Sequence, residues 1–199
     1  MTALQTTPVA LLTGAAPLAI RSERAADIAA REALLDACFG LNRALRTCKR
    51  LRDGRAPAEG LALSAVLRRR LVGTVRLWHV DAGGTRALLL GPVAVDPSCR
   101  ELGIGAALMK QALDIAEARG HGAVLLLGDA PYYARFGFSA RKTGELSLPG
   151  PFEPERLLGL ELRPGALDGA AGMILPTGRP AQGKPRGATG QRKLATHAA

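Results

Sequence analysis

The chain is poor in several residue types on which common protein classes depend. Three of its 199 residues are cysteines (Cys38, Cys48 and Cys99), and no two of them have Cys-x-x-Cys spacing. An odd count without paired spacing excludes a disulfide framework and a cysteine-based zinc site, and it fits thiols kept reduced in a cytoplasm. Aromatic residues number four Phe, two Tyr and one Trp, too few for a platform on which single-stranded nucleic acid could stack. The longest apolar run is about half of the ~20 residues a membrane span needs. Residues Met1 to Ala19 carry no positive charge ahead of their apolar stretch, which argues against a secretory leader. The expected location is therefore the cytoplasm, without a membrane partner.

Acidic residues are also scarce, 17 against 27 Lys and Arg, leaving a net charge of +10. The excess is uneven. Arg43, Arg46, Lys49, Arg50, Arg52 and Arg55 face only Asp53 in one stretch, and Arg68-Arg69-Arg70 form another. From Arg179 onward there are Arg179, Lys184, Arg186, Arg192 and Lys193 with no acid among them. That last segment is rich in Gly, Pro, Ala and Thr and lacks an apolar period, so it reads as a disordered tail. With Arg far outnumbering Lys and few aromatics, the charge alone is poor support for nucleic-acid binding.

What is abundant is apolar: 47% of the residues are hydrophobic, enough for one real core at this length. Leu18 to Arg21 reads as a first strand, followed by a helix opening at Ser22-Glu23 and running through Cys38-Phe39. A second, mostly polar helix is expected from Asn42 to Arg52, broken by Gly54. Leu61–Leu67 and Leu71–Val80 pair as antiparallel strands around the arginine turn. Ala82-Gly83-Gly84 turns into a strand at Ala87–Val95. Ile104–Ala118 is a helix ended by Arg119-Gly120, and Ala123–Leu127 is a buried strand between Gly122 and Gly128. A helix at Ala130–Phe136 and strands near Ser139 and at Leu157–Leu162 complete an α+β order without internal repeats. This predicts a mixed sheet flanked by helices. The expected organisation is an arm at 1–17, one domain at 18–175 and a basic tail at 176–199.

The most informative stretch is Leu88 to Met109, LLLGPVAVDPSCRELGIGAALM. An apolar strand stops at Asp96-Pro97, and Arg100-x-x-Gly103-x-Gly105 leads into an Ala/Leu-rich helix. The first amides of a helix lack intrahelical partners and carry partial positive charge, so glycines at that point let an anion approach the backbone. A Walker loop is excluded because no Gly-Lys-Ser/Thr follows. A dinucleotide fingerprint is excluded because Leu108 stands where the third small residue belongs, and because this is not the first strand–helix turn.

The strand Val93-Ala94-Val95-Asp96-Pro97 followed by Arg100-x-x-Gly103-x-Gly105 resembles motif A of the GCN5-related N-acetyltransferase (GNAT) family. Tyr133-Ala-Arg-Phe-Gly137-Phe138 matches that family's Tyr-x-x-x-Gly-Phe motif. The longer Asp129-to-Phe138 string, with Gly73-to-Trp78, is similar to a bacterial subgroup of predicted N-acetyltransferases. The likeness runs from about Leu18 to Leu175.

The resemblance implies the acyl-CoA N-acyltransferase fold, a strongly twisted mixed sheet. It implies acetyl-CoA as cosubstrate without a metal, and a primary amine of unidentified kind as acceptor, attacking directly in a ternary complex. The backbone of Val93, Ala94 and Val95 would hold the pantetheine arm. The loop amides of Glu101, Leu102, Gly103, Ile104, Gly105 and Ala106 would hold the pyrophosphate, with Arg100 adding charge. Tyr133 would protonate the leaving thiolate, while Tyr132 would face elsewhere. Candidate bases are His79, Asp81 and Glu101, and a homodimer is left open. Asp129 stands where the family often has Asn, and Glu101 must point outward. In such a fold the Arg43–Arg55 cluster would border the acceptor and favour one bearing a carboxylate or phosphate. The alternatives from other classes are a non-catalytic CoA-binding regulatory module and a nucleic-acid-associated basic protein.

Overall fold

Glycines and short polar turns cut residues 18–181, the part that the computed structural model describes, into eight strands and four α-helices. The first strand, β1 (Ala19–Ser22), pairs with β2 (Ala62–Leu67), which pairs with β3 (Arg70–Ala82), both antiparallel. Arg68 and Arg69 sit at the turn with φ of 49° and 65°. Two successive left-handed residues match the twist of a tight hairpin, although glycine and asparagine adopt them more cheaply. The next hairpin joins β3 to β4 (Thr85–Val95) through Gly83 and Gly84. Asp81 closes it by accepting the Gly84 amide at 2.7 Å.

Strand β4 is where the sheet changes character. It runs on to Val95, but it pairs in parallel with β5 (Ala123–Leu127) only at Leu88↔Val124 and Leu89↔Leu125. Beyond Leu89 the two strands part. On its other side β5 is paired along its whole length with antiparallel β7 (Leu157–Glu161). A last strand, β8 (Gly172–Pro176), lies along the far end of β3 and carries the two-residue β6 (Leu146–Ser147) beside it. Neither short strand is evident from sequence, whereas Ser139 makes an isolated bridge to Gly159 where a strand is expected. The chain continues from β8 along the body: Thr177 donates to His79, and Ala181 to Gly54. Most of the expected tail, like the expected arm, lies outside the described residues.

Helix α3 (Ile104–Ala118) has the bounds its pattern predicts. It buries Ile104, Leu108, Met109, Ala112 and Ala116 along one face, the stripe that a 3.6-residue period produces. Gly73 makes the close approach possible, since a β-carbon there would lie 2.9 Å from Leu108 Cδ1. This face forms the main core with Leu63, Val75, Leu77, Leu88 and Leu126. A second core around Trp78, Leu89, Leu125, Leu148 and Leu157 includes Leu51 from the basic stretch.

Two expected helices differ. The first begins at Ile28, not at Ser22, giving α1 as Ile28–Phe39. The residues before it form a 3-10 turn in which Asp27 accepts Arg21 at 2.6 and 2.9 Å and the Arg24 amide at 2.8 Å. The expected Asn42–Arg52 helix is two pieces, a 3-10 turn at Leu41–Leu45 and α2 at Thr47–Arg50, separated by extended Arg46. Tertiary ties decide this. Thr47 bonds the carbonyl of Pro151, and Arg50 bonds that of Pro149 at 2.7 Å. The last helix, α4, is short, Ala130–Ala134.

Candidate active site

The parting of β4 from β5 opens two adjoining hollows. The Asp96 amide donates to Val72, so strand alternation turns the peptide groups of Val93 and Val95 away from β3 and into the gap. The Val95 carbonyl is met there by Cys38 Sγ at 3.3 Å. The turn that follows is locked by Asp96, which accepts Ser98 N at 2.9 Å, Ser98 Oγ at 2.6 Å and Arg70 at 2.7 Å. These hydrogen bonds from Ser98, with Arg70 beside them, hold the Asp96 carboxyl below its usual range. Gly103 then enters α3 at φ 69°, a left-handed step that suits a residue without a β-carbon.

The smaller hollow, about 430 Å³, runs along this edge. Val93, Ala94, Val95, Arg100, Gly103, Gly105 and Ala106 line it together. Glu101 and Leu102 are exposed and do not line it. The Ile104 side chain is buried in the core, so any part it plays is through its amide. A β-carbon on Gly105 would lie 3.4 Å from Tyr132 Oη and 3.5 Å from Val95 Cγ2, so the narrow floor there is made of glycine.

Two residues of this hollow escape sequence reasoning. Tyr132 does not face elsewhere: its ring lies in the hollow beside Gly105. Arg135 stacks over that ring at 4.0 Å and adds a second cation opposite Arg100. Cys99, by contrast, is buried beside Arg70 and lies outside the hollow.

The larger hollow, a cleft of about 840 Å³, is walled by the Glu32–Arg52 region on one side and Pro151–Arg156 on the other. Val93, Phe39 and Tyr133 belong to both hollows. Tyr133 is thus the group at which they meet. Its ring packs edge-on to Tyr132 at 4.9 Å and to Phe138 at 6.1 Å. Gly128 leaves the space for it, because a β-carbon there would lie 2.3 Å from Tyr133 Cε2. Burial, then the neighbouring Tyr132 and the Asp129 carboxylate, push the Tyr133 phenol above its ordinary pKa. It holds its proton at neutral pH.

None of the three candidate bases stands in the cleft. Asp81 is the turn residue already described. His79 pairs with His121, ring centroids 5.4 Å apart, and Glu101 faces solvent. The carboxylates lining the cleft are Glu32 and Glu153. Among the described residues no group of three or more His, Cys, Asp or Glu could hold a metal, and no helix is long and apolar enough to cross a membrane.

An open strand edge beside a glycine-floored helix start, joined to a second cleft at Phe39, Val93 and Tyr133, is the architecture of an acyltransferase of the CoA-using kind. Residues 29–138 match the acetyltransferase (GNAT) family, and the chain belongs to that family. It is similar to the uncharacterized N-acetyltransferase YhbS of Escherichia coli K12, 31% identical over 107 residues. That match takes in 53% of this chain and 64% of the relative, so the chain spans less than two thirds of the curated relative's length. The crystal structure of Escherichia coli YhbS in complex with CoA superposes with a TM-score of 0.68 at 27% identity, covering 88% of this chain and 93% of that one. A GNAT acetyltransferase of Brucella melitensis in complex with acetyl-CoA gives a TM-score of 0.50 at 28% identity, covering 72% and 95%.

Proposed function

We propose that the protein transfers the acetyl group of acetyl-CoA to a primary amine by direct attack within a ternary complex. The observation that carries this reading is the position of Tyr133, shared by the two hollows at the point where β4 leaves β5. The smaller hollow suits CoA. The peptide groups of Val93 and Val95 offer a strand edge to the amides of a pantetheine arm, as another strand would. The amides from Gly103 to Ala106 and the glycine floor suit a pyrophosphate at a helix start, with Glu101 and Leu102 outside the hollow. Arg100 and Arg135 flank it with charge.

When bound, acetyl-CoA supplies the activated acyl thioester. The protein's part is to bring an amine to it, keep bulk water out and manage protons. Tyr133 Oη, protonated at neutral pH, would give its proton to the departing sulfur and regain one by way of water, which also carries off the proton that the attacking amine loses. The β4 edge fixes the arm so that the acyl carbon faces the cleft. The free thiols of Cys38, Cys48 and Cys99 fit the reducing cytoplasm that the composition suggests.

A second reading is favoured by the absence of His79, Asp81 and Glu101 from the cleft: a module that binds CoA without turning it over. One experiment separates them. Acetyl-CoA is titrated into the protein by calorimetry, and free thiol release is followed with a panel of amines, for the wild type and Tyr133→Phe. The enzyme reading expects saturable binding in both and turnover only in the wild type. Binding without turnover on any amine supports the module, and no binding ends both readings.

A further inference from the structure

The basic stretch along the cleft is not uniformly available to a ligand. Arg76 is engaged by Glu23 at 2.6 and 2.9 Å. Glu23 also holds Arg31, which reaches Glu32 at 2.5 Å. Glu32 in turn takes Arg43 at 2.5 Å, and Asp36 takes it at 2.7 Å. The chain of pairs ties α1 to β3 and to the turn after it, and it neutralises Arg43 and Arg76. Lys49 pairs with Asp53, and Arg156 lies 3.8 Å from Glu153.

Arg52 is different. It is half-buried, lines the cleft, and makes a single side-chain bond, from Nε to the Cys48 carbonyl at 3.0 Å. Its terminal amino groups have no partner among the described residues and keep some contact with solvent. Burial first, and then the fields of Arg43, Arg76 and Arg46, lower its pKa, yet an arginine stays charged at neutral pH. Arg46 beside it stacks on Phe39 at 5.0 Å and has no carboxylate partner among the described residues. A half-buried guanidinium amid other arginines, with its fork unused, is an unmet demand for a planar or tetrahedral anion. The walls next to it are apolar, Leu35, Phe39 and Phe152 among them.

We infer that the acceptor is an amine carrying a carboxylate or phosphate on an apolar body, with the anionic group seated on Arg52 and steered by Arg46. This deepens the transferase reading and rests on it. It also narrows the basic stretch to two working cations, since Arg43 and Lys49 are paired with carboxylates and Arg50 and Arg55 do not line the cleft.

Matched amines test it. Thiol release is measured for tyramine O-phosphate against tyramine, and for phenylalanine against phenylalaninamide, with the wild type, Arg52→Met and Arg52→Lys. The phosphate and carboxylate arms tell which anion the site prefers. The expected result is a preference of about tenfold to a hundredfold in kcat/KM for one acidic partner, the worth of one charged hydrogen-bonded contact. Arg52→Met removes that preference, Arg52→Lys restores part of it, and neither changes acetyl-CoA affinity. A readout independent of turnover is the thermal shift given by inorganic phosphate, of which one part is lost in Arg52→Met. Equal turnover of acidic and neutral partners, an equal loss on both in Arg52→Met, or acetyl-CoA binding with no turnover of any acidic amine overturns the inference. A protein that fails to bind acetyl-CoA but keeps the Arg52-dependent phosphate shift upholds the anion site and sinks the transferase reading.

Discussion

The two hollows that meet at Tyr133 are built on opposite plans. The smaller one is made of backbone: a strand edge at Val93 and Val95, a left-handed glycine and the first amides of α3. Its floor lies within Val93 to Ala106, roofed by residues from Cys38-Phe39 and Tyr132–Arg135, and the chemistry of that floor depends on where side chains are missing. The larger one is made of side chains gathered from Glu32 to Arg156, and its charge is set by which arginine found which acid. A backbone site can hold one kind of ligand through many changes of sequence. A side-chain site is retuned by single substitutions, so donor and acceptor recognition can diverge independently.

If that division is right, variants should fall cleanly on one side or the other, except at the shared tyrosine. Tyr133→Phe should have the largest effect, lowering kcat by about a hundredfold or more while leaving acetyl-CoA affinity within about twofold. A parallel loss of affinity in calorimetry would make Tyr133 a packing residue of the smaller hollow. Gly105→Glu puts a carboxylate on the groove floor between Tyr132 and Val95. Acetyl-CoA binding should weaken by about a hundredfold, with thermal stability little changed because the site is partly open.

Gly128→Ala probes the junction from behind. The added methyl collides with the Tyr133 ring, so the ring must leave its place, with a cost of about 1–3 kcal/mol in denaturant unfolding. Turnover should fall about tenfold, and Gly128→Ala with Tyr133→Phe together should be little worse than Tyr133→Phe alone. Additive losses would place the glycine's role elsewhere. Arg135→Met should weaken acetyl-CoA binding only several-fold and reduce its dependence on salt, leaving the order of preference among amines unchanged.

The smallest effect lies outside both hollows. Burial lowers the pKa of His79, with Arg179 adding to it, and burial lowers that of His121, with His79 and Arg119 adding to it. The unfolded chain takes up these protons near the ordinary value of 6.5, whereas the folded chain resists them. Stability is therefore fully present above that pH and is lost as the pH falls through the lower folded values. The thermal midpoint should drop on the acid side, and His121→Gln should shallow the drop without changing acetyl-CoA affinity.

The contrast between the hollows also explains what the sequence discloses. Ile104–Ala118 and Ala123–Leu127 have their predicted bounds because a local period and flanking glycines define them. Arg100, Gly103 and Gly105 are legible for the same reason: strand, turn and helix start are consecutive. The stretch Asn42–Arg52 does not form the expected helix because its conformation is decided by carbonyls of Pro149 and Pro151, about a hundred residues away. Tyr132 and Arg135 went unseen because a helix of one turn gives no period from which to tell which side faces the groove. Strand β8 is mostly exposed and holds β3 by three pairs, too short a contact to leave an alternation.

The sheet's narrow join at Leu88 and Leu89 has a mechanical meaning. Strands β1 to β4 with α1 and α2 make one half of the molecule, and β5, α4 and β7 make the other. The larger cleft has one wall from each half. Its walls are joined by that short seam and by Thr47 and Arg50, which reach across to the carbonyls of Pro151 and Pro149. A ligand strand laid against Val93 and Val95 would occupy the slot that this parting opens, completing a sheet that β4 and β5 leave unfinished.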